Sequence, residues 1–317
     1  MPSSSLFWKG RYHQKRTPDK KGLGHNRMSA FPIMKKVPGD GVGIQLAGWG
    51  DFAATIQGAV LCIHGLSANL QCWRQIAASL QTRYPLMAMD LRGRGHSDQP
   101  PTGYSLAAHV GDIRCVLDAL EIDRITLMGH SLGAYISLAF AAAYPERMDR
   151  LILVDGGGDL PPEQWELVNQ AIKPALARLG KVFPSFEEYI APLKNSPLFQ
   201  PWTETLENYF RYEIIAVDGG VRSRINPACI LEESENLAKT DIASLYSQVA
   251  CPTLIIRATE GLFVKEDVVL PMETAEHMTS RIPRARLFDV VGTNHYSIVF
   301  YPHAGRDQAI ADFLIGQ

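Results

Sequence analysis

The sequence predicts an α/β protein: a mostly parallel eight-stranded sheet flanked by helices, with a helical insertion after the sixth strand. Three observations carry this reading. Short, almost wholly apolar runs recur along the chain, as expected of strands buried on both faces. Segments of helical periodicity alternate with them from the third strand onward, the pattern of parallel strands joined by crossover helices. Between residues 160 and 247 that alternation stops. At 317 residues, 46% hydrophobic and 20% charged, the chain has the size and composition of a globular core carrying an inserted subdomain.

Taken in order, "PIMKKV" and "VGIQLAGWG" flank the turn signal Pro38-Gly39-Asp40-Gly41 and predict a β-hairpin. The six later strands are "GAVLCIHG" (58–65), "YPLMAMDLRG" (84–93), "RITLMGH" (124–130), "RLILVDGGG" (150–158), "PTLIIRAT" (252–259) and "ARLFDVVG" (285–292). "NLQCWRQIAASLQT" reads as the helix after the third strand, and "SLAAHVGDIRCVLDALE" as the one before the fifth. "SLGAYISLAFAAAY" follows the fifth strand and is stopped by Pro145; "HAGRDQAIADFLIG" closes the chain. These elements place the core at 31–159 and 248–317. The stretch 160–247 holds amphipathic segments such as "PPEQWELVNQAIKPALARLG" and "TETLENYFRYEIIAVD" without a convincing strand run. It is expected to form a helical cap. It leaves the sixth strand at its carboxyl end, the side on which ligands bind in open α/β sheets.

The first 30 residues differ. Lys9, Arg11, Lys15, Arg16, Lys20, Lys21 and Arg27 face only Asp19, and no apolar periodicity or signal-peptide h-region is present. This segment is expected to be a disordered basic tail. A net charge of −2 gives no reason to expect nucleic acid or an anionic membrane as partner. No run approaches the length of a membrane span. Five scattered cysteines (Cys62, Cys72, Cys115, Cys229, Cys251) show no metal-ligand spacing and fit a reducing, cytoplasmic setting. No cofactor or metal is expected, and the oligomeric state is not legible.

The chemistry centres on "LMGHSLGAY" (127–135). Ser131 falls between a strand and an Ala-rich helix, with glycines two positions either side. Gly129 and Gly133 leave room for a sharp turn that lifts the hydroxyl clear of the sheet and puts the Leu132 N–H at a helix N-terminus. A serine needs a base to become a nucleophile. His295, in "VVGTNHYSI" after the last strand, stands on the same carboxyl edge. His64 and His96 sit in Gly-rich loops of their own, and His130 is expected to point away from its neighbour Ser131. In "CIHGLSAN", Gly65 allows close backbone approach, so the Leu66 N–H can join that of Leu132 as an oxyanion hole. Each such donor is commonly worth about 3 kcal/mol in the transition state.

With these residues in place, the chain from about Val37 to its end resembles the α/β-hydrolases of the esterase, epoxide hydrolase and haloperoxidase-like group. "HGLSAN" resembles their oxyanion loop, "DLRGRGHSD" the loop after the fourth strand, "GHSLGA" the nucleophile elbow and "GTNHYS" the histidine loop. The resemblance implies Ser131 as nucleophile, His295 as base, and Leu66 with Leu132 as oxyanion donors. Asp90 and His96 are expected to hold their turn. The acid departs from the pattern. The family's usual Gly-x-x-Asp position after the seventh strand falls at Gly261, leaving Glu260 one residue early and Asp267 beyond a short insertion. Some relatives place the acid after the sixth strand, which here is Asp155. Asp155 is the first choice, with Asp267 and Glu260 open.

The function expected is hydrolysis of small or medium apolar esters through an acyl-enzyme, that is, a carboxylesterase acting on a small ester-like substrate. Serine at the elbow argues against dehalogenase and epoxide hydrolase chemistry, which need a carboxylate nucleophile. C–C bond hydrolase, lactonase and thioesterase activities stay open, as does a non-catalytic small-ligand receptor. Trp165, Phe183, Phe186, Tyr189, Trp202, Tyr209, Phe210 and Tyr212 make the insertion aromatic-rich. Arg222 and Arg224 are expected to be solvated loop charges.

Overall fold

A computed structural model of the chain describes residues 33–50 and 58–316; the basic segment 1–30 lies outside the described residues. The hairpin forms as β1 (Ile33–Pro38) and β2 (Gly43–Trp49), followed by β3 (Val60–Ile63), α1 (Arg74–Leu80), β4 (Leu86–Met89), α2 (Leu106–Ala119), β5 (Ile125–His130), α3 (Leu132–Ala143) and β6 (Met148–Val154). After the insertion come β9 (Thr253–Ala258), α9 (Met272–Arg281), β10 (Ala285–Val290), α10 (Ser297–Phe300) and α11 (Ala304–Ile315). The eight strands of these segments make one sheet in the order β1-β2-β4-β3-β5-β6-β9-β10. β1–β2 and β2–β4 pair antiparallel and every later pair is parallel.

Every residue of β3, β4, β5 and β9 is buried, which is why these strands read as unbroken apolar runs. Alternate side chains feed two cores. Leu61, Ile63 and Leu127 pack with α2 and α3 on one face, whereas Val60, Cys62 and Met128 pack with Trp73, α1 and α11 on the other. The period-2 geometry of a strand produces this division. No helix among the described residues is long and apolar enough to cross a membrane.

The insertion contains α4 (Pro162–Leu176), α5 (Phe186–Lys194), α6 (Glu204–Glu213), α7 (Pro227–Leu237) and α8 (Ala243–Tyr246). It is not wholly helical, which corrects the sequence expectation. β7 (Ile214–Val217) and β8 (Gly220–Ser223) form an antiparallel hairpin, extended by a bridge between Phe183 and Val221. The physical reason lies in "EIIAVDGGVRS": helix α6 stops at Glu213, where β-branched residues favour extended backbone. Gly219 and Gly220 (φ +81° and +141°) then supply the turn conformations that L side chains rarely adopt.

Candidate active site

The carboxyl ends of β3, β5, β6 and β10 carry His64, Ser131, Asp155 and His295 to one edge of the sheet. Ser131 takes φ +55° and ψ −123°, a conformation costing about 1–3 kcal/mol for a residue with a side chain. Its neighbours explain how the turn closes. A Cβ on Gly129 would lie 2.0 Å from the Gly133 carbonyl oxygen, and one on Gly133 would lie 2.0 Å from that of Ile63. Only glycines let β3, β5 and the start of α3 approach so closely. The Ser131 N–H is anchored on the Val154 carbonyl at 3.1 Å, and the residue lines two cavities.

Asp155 is the carboxylate that meets His295. His295 Nδ1–H donates to Asp155 Oδ2 at 2.7 Å across 140 residues of sequence. Asp155 Oδ1 accepts from the Ala258 N–H at 3.0 Å, and the Asp155 N–H donates to Ile256 O at 2.7 Å. The carboxylate is fully buried and clamped from both sides, on a residue that itself has φ +46°. With Nδ1 protonated against the acid, Nε2 of a neutral His295 is left unprotonated, the state a general base requires. Among the described residues the imidazole's hydrogen-bond partner is Asp155, and the Ser131 hydroxyl has none. Ser131 and His295 nevertheless line the same two cavities.

The other two carboxylates are occupied elsewhere. Asp267 accepts from the N–H groups of Leu262 (2.5 Å), Phe263 (3.0 Å) and Val264 (3.3 Å), stapling its own loop. Glu260 is exposed, with its N–H on Thr293 O and its carboxylate accepting from Thr259 Oγ1. The amides of Leu66 and Leu132 have no acceptor among the described residues. The Leu66 carbonyl is tied back by Arg94 Nε–H at 3.0 Å, which fixes the loop that presents its amide.

The remaining histidines divide clearly. His64 is fully buried; its Nδ1–H donates to Gly65 O at 2.8 Å and its Nε2 accepts from the Leu91 N–H at 3.0 Å. Burial lowers its pKa to about 3, so it is a neutral structural strut. His96 packs on Tyr212 at 4.5 Å between centroids, and its N–H donates to Asp90. Asp90 also accepts from the Leu70 N–H and, at 2.6 Å, from the Tyr212 hydroxyl of the insertion. Burial raises its pKa to about 6 against the pull of those donors. It therefore holds more than its own turn: it ties α6 to the core. His130, given no part by the sequence, lies with its ring 4.4 Å from that of His295, and its Nε2–H donates to the His295 carbonyl at 2.9 Å. Burial, then proximity to His295, hold its pKa well below the ordinary histidine value.

The two cavities share the Ser131–His295 pair in their walls. The smaller, about 60 Å³, is bounded by Phe199, Tyr209, Phe210, Tyr296 and Arg178. The larger, about 380 Å³, is bounded by Leu132, Tyr135, Leu160, Trp165, Leu237 and Val269. Of the insertion aromatics named from the sequence, Trp165, Tyr209 and Phe210 reach these walls. Trp202 instead stacks on Phe210 at 5.7 Å, and Phe183 packs edge-on against Tyr189. Arg222 and Arg224 border a separate groove beside His96 and Asp98. Phe199 and Arg178 were not picked out from the sequence; both depend on partners distant in the chain.

Comparison with known proteins agrees with this fold. A family model described as the alpha/beta hydrolase fold matches residues 58–302. An uncharacterized Mycobacterium tuberculosis protein is 44% identical over 100 residues, covering 32% of this chain and only 29% of that protein. A 2-(acetamidomethylene)succinate hydrolase of Mesorhizobium japonicum is 28% identical over 239 residues, 75% of this chain and 81% of that one. The crystal structure of E-2-(acetamidomethylene)succinate hydrolase superposes with a TM-score of 0.76, covering 90% of this chain and all of that chain, at 23% identity. At that identity the superposition speaks for the fold.

Proposed function

The chain belongs to the alpha/beta hydrolase fold family, and from that premise we propose that it is a serine hydrolase, a carboxylesterase of small or medium apolar esters. The observation that carries the reading is the Asp155–His295 hydrogen bond at 2.7 Å beside a serine held at φ +55° over a shared cavity. The named hydrolase relative supports the coarser reading. The mostly apolar walls support the finer one.

In this mechanism His295 Nε2 takes the Ser131 proton as Oγ attacks the ester carbonyl. The carbonyl electrons move to the oxygen, where the N–H groups of Leu66 and Leu132 receive the developing charge. Asp155 stabilises the imidazolium without taking its proton. Collapse expels the alkoxide, which takes the proton from Nε2 and leaves Ser131 acylated. Water, deprotonated by the same nitrogen, attacks the acyl carbon and restores the serine. The insertion, residues 160–247, acts as a cap that sets which groups enter the two lobes.

A panel of p-nitrophenyl esters with graded acyl chains, run beside a lactone, a thioester and a ring-cleavage diketone, tests the assignment. Turnover of the short esters, lost in Ser131→Ala, is expected. Preference for the diketone or lactone would replace the carboxylesterase reading with that activity. A folded protein inert to the whole panel would point to a ligand receptor instead.

A further inference from the structure

We propose that Arg178 makes the smaller lobe selective for a short acyl chain ending in a neutral oxygen acceptor, a ketone or amide carbonyl. The inference rests on the serine-hydrolase reading above and adds the substrate class. Arg178 stands just beyond α4 on the wall of the 60 Å³ cavity that Ser131 and His295 also border. It is 8% exposed, and its guanidinium is held rigidly. Nε donates to the Tyr189 hydroxyl and to Glu213 Oε1, each at 2.9 Å. Nη2 donates to Glu213 Oε2 at 2.8 Å and to the Ser67 carbonyl at 3.5 Å. Nη1 has no acceptor among the described residues and is not sealed from water. The walls around it are aromatic: Phe199, Tyr209, Phe210, Tyr296 and Phe300. Beside the rotatable hydroxyls of Tyr209 and Tyr296 that share these walls, Nη1 is a fixed, charged donor, and that makes it a recognition element. A substrate that supplies an oxygen there gains a charge-assisted hydrogen bond, and one that does not leaves the donor unanswered.

Charge decides which oxygen. Glu213 already neutralises Arg178, and it also accepts from the Tyr189 and Ser223 hydroxyls at 2.5 and 3.0 Å. A substrate carboxylate would bring a further negative charge out of water, on the same edge as buried Asp155. A carbonyl accepts the Nη1–H without that penalty. Size decides the chain length. At about 60 Å³ against about 380 Å³, the Arg178 lobe is the smaller of the two and suits the shorter group. A p-nitrophenyl group is left to the larger cavity.

Three isosteric p-nitrophenyl esters test this: 4-methylpentanoate, 4-oxopentanoate and hemisuccinate, each corrected for its spontaneous hydrolysis. The expected kcat/KM of the oxo ester exceeds that of the methyl isostere by roughly ten- to a hundredfold, with hemisuccinate below the oxo ester. In the double variant Arg178→Met/Glu213→Gln, which removes both buried charges together, the oxo-to-methyl ratio should fall to within about threefold of one. Because it is a ratio within one protein, it does not depend on how much of the variant folds. A wild-type ratio at or below one overturns the proposal whether or not the variant folds. So does a preference that survives the double variant, or a hemisuccinate faster than the oxo ester. Turnover of all three esters without discrimination sinks this inference alone. No turnover, together with no labelling of Ser131 by a fluorophosphonate, sinks the hydrolase reading and this inference with it.

Discussion

Replacing Asp155 by Asn changes one atom of the buried clamp, and its effect can be worked from the two bonds that atom pair makes. Oδ1 accepts from Ala258 N–H at 3.0 Å, and Oδ2 faces the protonated Nδ1 of His295 at 2.7 Å. An Asn side chain can satisfy one of these. With its oxygen on Ala258, its NH₂ faces His295 and selects the Nε2–H tautomer, which cannot accept the Ser131 proton. With its oxygen on His295, its NH₂ meets the Ala258 N–H, donor against donor. That costs about 1–3 kcal/mol, so the productive orientation falls to roughly one part in 5 to 150. Loss of the carboxylate's charge beside the imidazolium removes more, and together they carry kcat down by about 10⁴. The assay is p-nitrophenyl acetate turnover per folded molecule, with Asp267→Asn and Glu260→Gln as controls. Asp267→Asn should lower the unfolding midpoint, because three backbone N–H groups lose a charged acceptor, yet keep turnover within about threefold. An Asp155→Asn enzyme within tenfold of wild type, or an Asp267→Asn enzyme equally impaired, would refute the assignment of the acid.

Gly133→Ala drives a methyl to within 2.0 Å of the Ile63 carbonyl oxygen; thermal unfolding should show a loss of about 3 kcal/mol or more. His64, with its pKa lowered to about 3 by burial, contributes stability that is complete above the unfolded histidine pKa of about 6.5 and is lost as pH falls below it. The stability gap between wild type and His64→Gln should therefore shrink by roughly 1 kcal/mol per pH unit below 6.5, read by urea unfolding at several pH values. The Tyr212 hydroxyl lowers the Asp90 pKa, so Tyr212→Phe should move the Asp90 titration above about 6, measurable by carboxyl-carbon NMR.

β3, β4, β5 and β9 were legible because burial on both faces writes each as an apolar run, and β1 and β2 because a turn signal joins them. Helix α9 was not, since "METAEHMTSR" turns only Thr274, Ala275 and Met278 inward and carries too few apolar residues to show a period. The β7–β8 hairpin was hidden by the join at Glu213–Ile214, where an amphipathic helix passes straight into β-branched residues. Ser131 and His295 were singled out as nucleophile and base from local loop patterns. For the proposed acid, Asp155 came first with Asp267 and Glu260 left open, because what distinguishes the three is a hydrogen bond to a residue 140 positions away. Arg178 and His130 escaped for the same reason: their partners Glu213 and the His295 carbonyl are brought to them only by the fold.

The central claim is that Ser131 is the nucleophile activated by His295. Intact-mass measurement after incubation with a fluorophosphonate, followed by peptide mapping, tests it most directly. One phosphonyl group is expected per chain, on the peptide carrying Ser131, with labelling abolished in Ser131→Ala and strongly slowed in His295→Ala. A folded protein that takes no label, or one labelled at another residue while Ser131 stays free, would contradict it.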